Sequence, residues 1–474
     1  MERAAPENPL HDRYASAEMA AVFSREHRYR LWRRIWVDLA GAQKELGLPI
    51  TGEQIAALEA VAGEIDFERV AEIERSTRHD VVAHLRHFAE LAGEAGSILH
   101  LGATSAFITD NADVLLLREA LTLLEGRLGA VLRALADFAH RERGRPALAY
   151  THFQPAQLTT VGKRACLWAQ DFLEDLAALR RLLSGLRCRG AKGTTGTQAS
   201  YLTLFAGDHD KVRALDRAVA ERLGFERSFP VTGQTYPRKQ DSQVLAVLAG
   251  IAESCHKLGT DLRLLQGVGE LAEPFGATQV GSSAMAYKRN PIRAERMCAL
   301  ARRLMTDSLN GPLTAALQWL ERSLDDSANR RLVLTDAFLV ADAVLGLAAG
   351  IAGGLTVNAE AVAARVAREL PFMATESLLV TATVRGGDRQ ELHERLRRHS
   401  LAAHAAVSRG EANPLIDTIL ADGAFVLDRA EVDALMRPAA FIGRSPEQVD
   451  EFLAEEVEPA LAGLATAAIE EPRV

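Results

Sequence analysis

Cysteine is scarce in this sequence, and the scarcity limits what can hold the protein together. Only Cys166, Cys188, Cys255 and Cys298 occur among 474 residues. No two of them have the spacing of a metal-binding or disulfide pair, and three fall inside helical patterns. We therefore predict reduced thiols in the core of a cytoplasmic protein.

Excess positive charge, a signal sequence and internal repeats are also lacking. The net charge of −8 excludes a general nucleic-acid binder. The first ten residues are polar and contain no apolar signal core. The longest apolar run, 338–357, has the length of a membrane span, but Asp342 and many small residues favour a buried helix. An anionic ligand must therefore meet a local cluster of positive charge.

Helical periodicity is the clearest positive signal. Apolar residues recur with alternating spacings of four and three in three runs, which is typical of a helix that faces a partner helix. These runs are Leu117, Leu121, Leu124, Leu128, Val131, Leu135 and Phe138; Ala165, Trp168, Phe172, Leu176, Leu179, Leu183 and Leu186; and Val244, Leu248, Ile251, Cys255, Leu258, Leu262 and Leu265. With further helices near 293–322 and 328–352, the pattern predicts an all-α fold around five helices, each on the order of 45 Å long.

The length of the chain exceeds what one hydrophobic core normally supports. We predict an N-terminal helical domain over 1–104, a central bundle over 105–357 and a C-terminal helical domain over 358–474, because the helical pattern breaks at 100–105 and shortens after 356. The first long helix is also apolar off its main stripe, at Leu115, Leu116, Leu123 and Leu132. A helix that is apolar on several faces needs several neighbours, so we expect the bundle to form an oligomer.

Two stretches look like ligand loops. Residues 192–200 are rich in Gly and Thr, but they lack the order of a phosphate-binding loop, which favours a structural or substrate-lining role. Residues 281–291 read Gly-Ser-Ser-Ala-Met-Ala-Tyr-Lys-Arg-Asn-Pro and concentrate groups that grip an anion or move a proton. Composition alone would favour a polar turn between helices.

Several histidines are candidates for chemistry. His79, His84 and His87 do not share one helix face, so we predict no metal site there. His152 lies in the polar stretch 151–157, which we interpret as the start of the second long helix, where a histidine titrates near neutral pH and the helix dipole favours release of its proton.

The 281–291 loop resembles the mobile loop of the fumarase/aspartase superfamily, whose pattern is Gly-Ser-Ser-x-Met-Pro-x-Lys-x-Asn-Pro. Ala286 is the one departure from that pattern. Further segments resemble the adenylosuccinate lyases, in particular their animal-type branch. They are 13–16, 78–80, 100–105, 151–164, 192–200, 232–236, 324–331 and 369–376.

The resemblance implies elimination of fumarate from a succinylated purine-pathway nucleotide, without metal or cofactor, in a homotetramer whose sites are shared between subunits. It implies Ser282 as base, His152 as acid, Glu295 as the residue that orients His152, and Lys288 as the group that favours the alkoxide. It also implies a set of substrate-binding residues. They are Arg13, Tyr14, Arg78, His79, Asp80, Thr104, Ser105, Thr151, Gln234, Asn290, Arg296, Arg322, Ser327 and Arg331.

Two alternatives remain at this point. An argininosuccinate lyase or fumarase would share the Ser-Ser loop but would not need the arginines assigned to phosphate. An inactive helical scaffold is the alternative from another class, although His152, Ser282, Lys288 and Glu295 are all present.

Overall fold

The computed structural model describes residues 8–276, 278–281, 284–285 and 287–465. A π-helical turn, Leu10–Tyr14, precedes five helices and a 3₁₀ turn in the first hundred residues. They are α1 (Ala17–Val22), α2 (Arg25–Glu45), α3 (Gly52–Val61), α4 (Phe67–Thr77), α5 (Asp80–Ala92) and the 3₁₀ turn Gly93–Ile98. Ser16 caps α1 as its side chain accepts a hydrogen bond from the Met19 N–H at 3.2 Å, because the first backbone donors of a helix have no partner inside it.

Long helices dominate the centre of the chain. The elements are α6 (Ser105–Arg141), β1 (Pro146–Thr151), β2 (Gln154–Thr160), α7 (Val161–Gly185), α8 (Ala199–Leu204), α9 (His209–Arg222), α10 (Lys239–Gly267), β3 (Leu271–Ala272), α11 (Ile292–Asp307), α12 (Asn310–Leu317), α13 (Asp326–Gly353) and β4 (Thr356–Val357). The predicted all-α bundle is confirmed, with two small antiparallel sheets, β1–β2 and β3–β4, added to it. The four cysteines are buried and free, as predicted.

The helix predicted over 293–322 is shorter and interrupted. α11 ends at Asp307 and α12 at Leu317, and a non-helical segment follows up to α13. Pro312 has no N–H to donate to the Ser308 carbonyl, which explains why the helical ladder is not continuous here.

The wide apolar stripe of α6 has its neighbours within one chain. Leu115, Leu116 and Leu132 are buried, and α6 packs against α7, α13 and α2. The width of this stripe therefore does not by itself require a second subunit. α13 is long and apolar enough to cross a membrane by length and composition, but most of its apolar window is buried inside the protein.

The C-terminal region forms shorter helices. They are α14 (Ala359–Met373), α15 (Thr375–Val384), α16 (Arg389–Ser408), α17 (Leu415–Ala421), α18 (Arg429–Leu435), the 3₁₀ turn Pro438–Ala440, α19 (Ser445–Phe452), the π-helical turn Leu453–Val457 and α20 (Glu458–Leu461). An apolar cluster of buried residues from Ala374 to Val432 is separate from the bundle core. This separate core lies within the predicted C-terminal domain, but Val449, Leu453 and Val457 of the same predicted domain belong to the bundle core.

Candidate active site

A cavity of about 780 Å³ opens between the N-terminal helices and one end of the bundle. Nine of the predicted substrate-binding residues line it. They are Arg78, His79, Asp80, Thr104, Ser105, Gln234, Arg322, Ser327 and Arg331. They come from four separate stretches of sequence, so the fold and not chain proximity unites them.

One wall of the cavity is built from the junction of α4 and α5. Arg78 ends α4 in the left-handed conformation, with φ 54°, and His79 caps α5 by accepting a hydrogen bond from the Val82 N–H. The His79 Nε2 lies 3.3 Å from the Ser105 hydroxyl at the start of α6. The polar cluster predicted at residues 78–80 therefore exists and contacts the next segment of the site.

A second wall, which meets the first at Asp80, contains Arg322 and Arg331. Arg331 donates to the Asp80 carboxylate at 2.7 Å and so joins α13 to α5 across the cavity. Burial is the largest influence and would raise the pKa of Asp80, but the hydrogen bonds from Arg331 and the Val81 N–H, together with the charge of Arg331, outweigh it and lower that pKa below its usual value. Asp80 is thus held ionised and keeps Arg331 at the cavity rim.

Three hydrogen bonds that involve backbone groups hold Gln234 at the cavity. Its N–H donates to the Glu321 carbonyl at 2.9 Å, its own carbonyl accepts from Arg189 at 2.6 Å, and its side-chain amide donates to the Thr194 carbonyl at 3.2 Å. The last contact brings the 192–200 loop to the site. Lys192 is itself buried in an ion pair with Asp216, which agrees with the structural role predicted for this loop.

The interpretation of His152 as part of a helix start is wrong. β1 and β2 form a hairpin whose two turn residues, His152 and Phe153, have φ of 53° and 57°, as in a type I′ turn. α7 begins only at Val161, after its cap Thr160. His152 and Thr151 are exposed at the hairpin tip, where no helix dipole acts on them.

A strand residue near the hairpin tip is held by a buried carboxylate. Glu270 is 1% exposed and accepts from the Tyr150 hydroxyl at 2.5 Å. Arg365 of α14 lies 3.0 Å from the same carboxylate, and Arg164 of α7 lies 3.6 Å from its other oxygen. Burial and the neighbouring Glu270 raise the pKa of Tyr150, so it remains a protonated donor. The cluster fixes the strand that leads to His152.

The 281–291 loop is described only in part. Ser282 and Ala286 lie outside the described residues. The side-chain amide of Asn290 donates to the Gly281 carbonyl at 2.9 Å and so joins the two ends of the loop, while Lys288 is exposed. A Cβ on Gly281 would lie 2.1 Å from the Lys288 carbonyl, so this close approach requires glycine.

The remaining predicted residues lie outside the cavity. Glu295 is exposed on the first turn of α11, and among the described residues no hydrogen bond joins it to His152. Arg296 has a buried Nη1 for which the described part of the chain supplies no partner. Arg13 and Tyr14 lie in the π-helical turn that packs near α13. One chain therefore brings together nine of the fourteen predicted substrate-binding residues, whereas His152 and Glu295 lie outside the cavity.

Sequence reasoning missed the floor of the cavity. Its members are Asp110, Asp113, Arg238, Asp326 and Arg330, four of which are buried. The sequence did contain a signal for them: Asp and Arg residues within long apolar helices indicate buried ion pairs, because a buried charge needs a partner. Across the described ranges, no group of three His, Cys, Asp or Glu residues has positions suited to a metal ion.

The fold is shared with solved enzyme structures. A 3-carboxy-cis,cis-muconate lactonizing enzyme from Pseudomonas putida superposes with a TM-score of 0.82 over 96% of this chain and all of that one, at 24% identity. A fumarate lyase from Mesorhizobium gives 0.79 over 95% of this chain, at 23% identity. The family described as Lyase matches residues 15–306. The architecture is thus that of the fumarase/aspartase superfamily.

Relatives with higher sequence identity identify the family within this superfamily. Adenylosuccinate lyases of Saccharomyces cerevisiae and Schistosoma mansoni are each 48% identical over 457 residues, which cover 96% of this chain and 95% of theirs. The family described as Adenylosuccinate lyase C-terminus matches residues 371–452. The chain therefore belongs to the adenylosuccinate lyase family of that superfamily.

Proposed function

We propose that this enzyme eliminates fumarate from adenylosuccinate, giving AMP, and from succinyl-aminoimidazole-carboxamide ribotide, giving AICAR. The observation that carries the proposal is the cavity, because it gathers nine residues chosen from sequence for this substrate class. Arg322 and Arg331 suit a phosphate, since a guanidinium fork matches its oxygens. Family membership supports the same reaction.

The chemistry requires a base next to the carboxylate-bearing carbon and an acid at the departing nitrogen. We assign these roles to Ser282 and His152, with Glu295 orienting His152. Lys288 favours the alkoxide form of Ser282 and, with Asn290, binds the succinyl carboxylates. Closure of the 281–291 loop would exclude water from the reaction.

We also propose a homotetramer in the cytoplasm with active sites shared between subunits. The separation of His152, Lys288 and Glu295 from the cavity within one chain supports sharing. A second support is a set of exposed apolar side chains that begins just before α12 and ends just after it, because isolated exposed apolar residues are common but clusters indicate contact surfaces. They are Leu309, Leu313, Leu317, Trp319 and Leu320.

The test offers adenylosuccinate, the succinyl-carboxamide imidazole ribotide and argininosuccinate to one preparation and follows fumarate release. Both nucleotides should be cleaved. Argininosuccinate has no phosphate, so it would leave the cavity arginines without their anion and should react poorly. Efficient cleavage of argininosuccinate, or of only one nucleotide, would contradict the proposal, and no release from any compound would favour an inactive scaffold.

A further inference from the structure

Asp326, at the start of α13, is a fully buried carboxylate shared between two arginines. One of its oxygens accepts from Arg322 Nη1 at 2.7 Å, and the other accepts from Arg238 Nε at 2.7 Å. The side chain of Asp326 has 0% exposure, whereas that of Arg322 has 23% and lines the cavity. Asp326 therefore connects the buried floor with a cation at the ligand surface.

Arg238 fixes the buried side of this connection. It donates to both oxygens of Asp110, from Nη1 at 3.2 Å and Nη2 at 3.1 Å, in addition to its bond with Asp326. Asp110 in turn accepts from the Tyr236 N–H at 2.8 Å. Burial is the largest influence and would lower the pKa of Arg238, but Asp110 and further acidic neighbours such as Asp241 together outweigh it and raise that pKa, so the guanidinium stays charged. Asp326 is consequently held against a rigid partner.

Arg322 has donors left for a ligand. Within the described residues, its guanidinium hydrogen-bonds only to Asp326, through Nη1. A guanidinium carries five N–H donors in a planar fork, so its orientation decides which of them meet an anion. A long side chain held at one nitrogen by a buried carboxylate loses little further rotamer freedom when the anion arrives.

We propose that Asp326 is a positioning residue for substrate binding: it aims the Arg322 guanidinium at the phosphate, and Arg238 holds Asp326 in place. This inference rests on the proposed function, because it assumes that Arg322 meets the phosphate. A purely electrostatic role of Asp326 predicts the opposite change in affinity. If Asp326 acted mainly as a negative charge near the phosphate, its neutralisation would strengthen binding.

The test is Asp326→Asn in the full-length enzyme, with AMP binding measured by calorimetry and with AMP and fumarate compared as inhibitors. Loss of a charge-assisted hydrogen bond typically weakens binding by about 10- to 100-fold. We expect that rise in the dissociation and inhibition constants of AMP, a parallel rise in KM, and a kcat within about threefold. Inhibition by fumarate, which has no phosphate, should change by less than about twofold, whereas a merely structural role would weaken both ligands together.

Glu125→Gln is the matched control, because it breaks the ion pair of Glu125 with Arg180 between α6 and α7, outside the cavity. It should leave both inhibition constants unchanged. If Asp326→Asn fails to assemble, Arg238→Lys keeps the charge but loses the fork and should weaken AMP by about threefold, with fumarate unaffected.

Unchanged or stronger AMP binding, or equal weakening of AMP and fumarate, would overturn the inference. The calorimetric measurement does not require turnover. An active wild type with unchanged AMP binding in the variant would thus refute only the role of Asp326, while an inactive wild type would refute the proposed function.

Discussion

The two ends of the proposed active site are built in different ways. The nucleotide end is a cavity within one chain, and its cations are held by buried carboxylates such as Asp326 and by half-buried Asp80. The groups assigned to proton transfer include His152 at an exposed hairpin tip and the exposed Lys288. The cavity of the first end is formed within one chain, whereas these groups of the second end are exposed in it.

This difference follows from the demands of the two tasks. Binding a phosphate gains most from cations whose orientation is fixed in advance, because less freedom is lost on association. Elimination needs groups that approach the substrate from opposite sides and let the product leave, which suits elements at the edge of a subunit. If the two ends are independent, substitutions at one end should change turnover and substitutions at the other should change AMP binding.

The largest effect should come from His152→Asn. Asparagine tolerates the left-handed conformation found at residue 152, so the hairpin should survive while the proposed acid is lost. General acid catalysis typically contributes ~10²–10⁴-fold, and we expect kcat to fall by that amount with little change in the affinity for AMP. Phe153→Asn changes the other turn residue and should leave kcat within a few-fold of wild type. Near-normal turnover in the His152 variant would remove this residue from its assigned role.

A smaller effect is expected from Glu270→Gln, which leaves Arg164 and Arg365 without their buried partner. Removing one member of a buried ion pair typically costs about 3 kcal/mol or more of unfolding free energy. Because the same cluster holds Tyr150 near the hairpin tip, kcat should also fall by about tenfold, while AMP binding in the cavity stays within about twofold. Denaturant unfolding and AMP calorimetry measure the two quantities. Equal losses in kcat and AMP affinity would show that the two ends are not independent.

The smallest expected effect is a loss of folding stability at acidic pH. His84 packs behind the cavity wall, with its ring centroid 3.8 Å from that of Tyr29, and burial, followed by the charge of Arg33, lowers its pKa to about 4. Between pH 6.5 and 4 the unfolded chain binds a proton at this site that the folded chain does not. The stability it contributes is therefore present above pH 6.5 and lost as the pH falls.

We expect this to remove about 2 kcal/mol of unfolding free energy between pH 6.5 and pH 5, at ~1.4 kcal/mol per unit. Urea unfolding of wild type and His84→Gln at fixed protein concentration measures it, and the variant should show the shallower pH dependence. Identical slopes would contradict the assignment. Among the described histidines, those with lowered pKa all lie in 84–100, so acid should loosen the cavity end and spare the hairpin.

The long helices and part of the cavity lining were predictable because their signals are local. The seam of α6 from Leu117 to Phe138 is buried as its spacing predicts, and Ser16 caps α1. The motif at residues 78–80 supplies a wall of the cavity. Each of these outcomes depends on spacing along the chain or on a short motif.

The hairpin was not predictable in the same way. The residues from Pro146 to Thr160 pair as strands because Leu148 and Leu158 pack on Val366 and Leu370 of α14, more than two hundred residues away. Without that distant apolar surface, a polar stretch before a long helix looks like a helix start. The buried floor around Arg238 was missed for a related reason: its partners lie 88 and 128 residues away along the sequence.

The sequence by itself determined the helical class, the positions of the long helices and the types of group available for chemistry, since helical periodicity and motif composition are properties of neighbouring residues. Tertiary structure alone decided which arginines face the cavity and which are buried under it, and that His152 projects from a hairpin. The physical reason is that the partners of a buried charge and the surface that covers a strand are set by packing between distant segments, which no local pattern encodes.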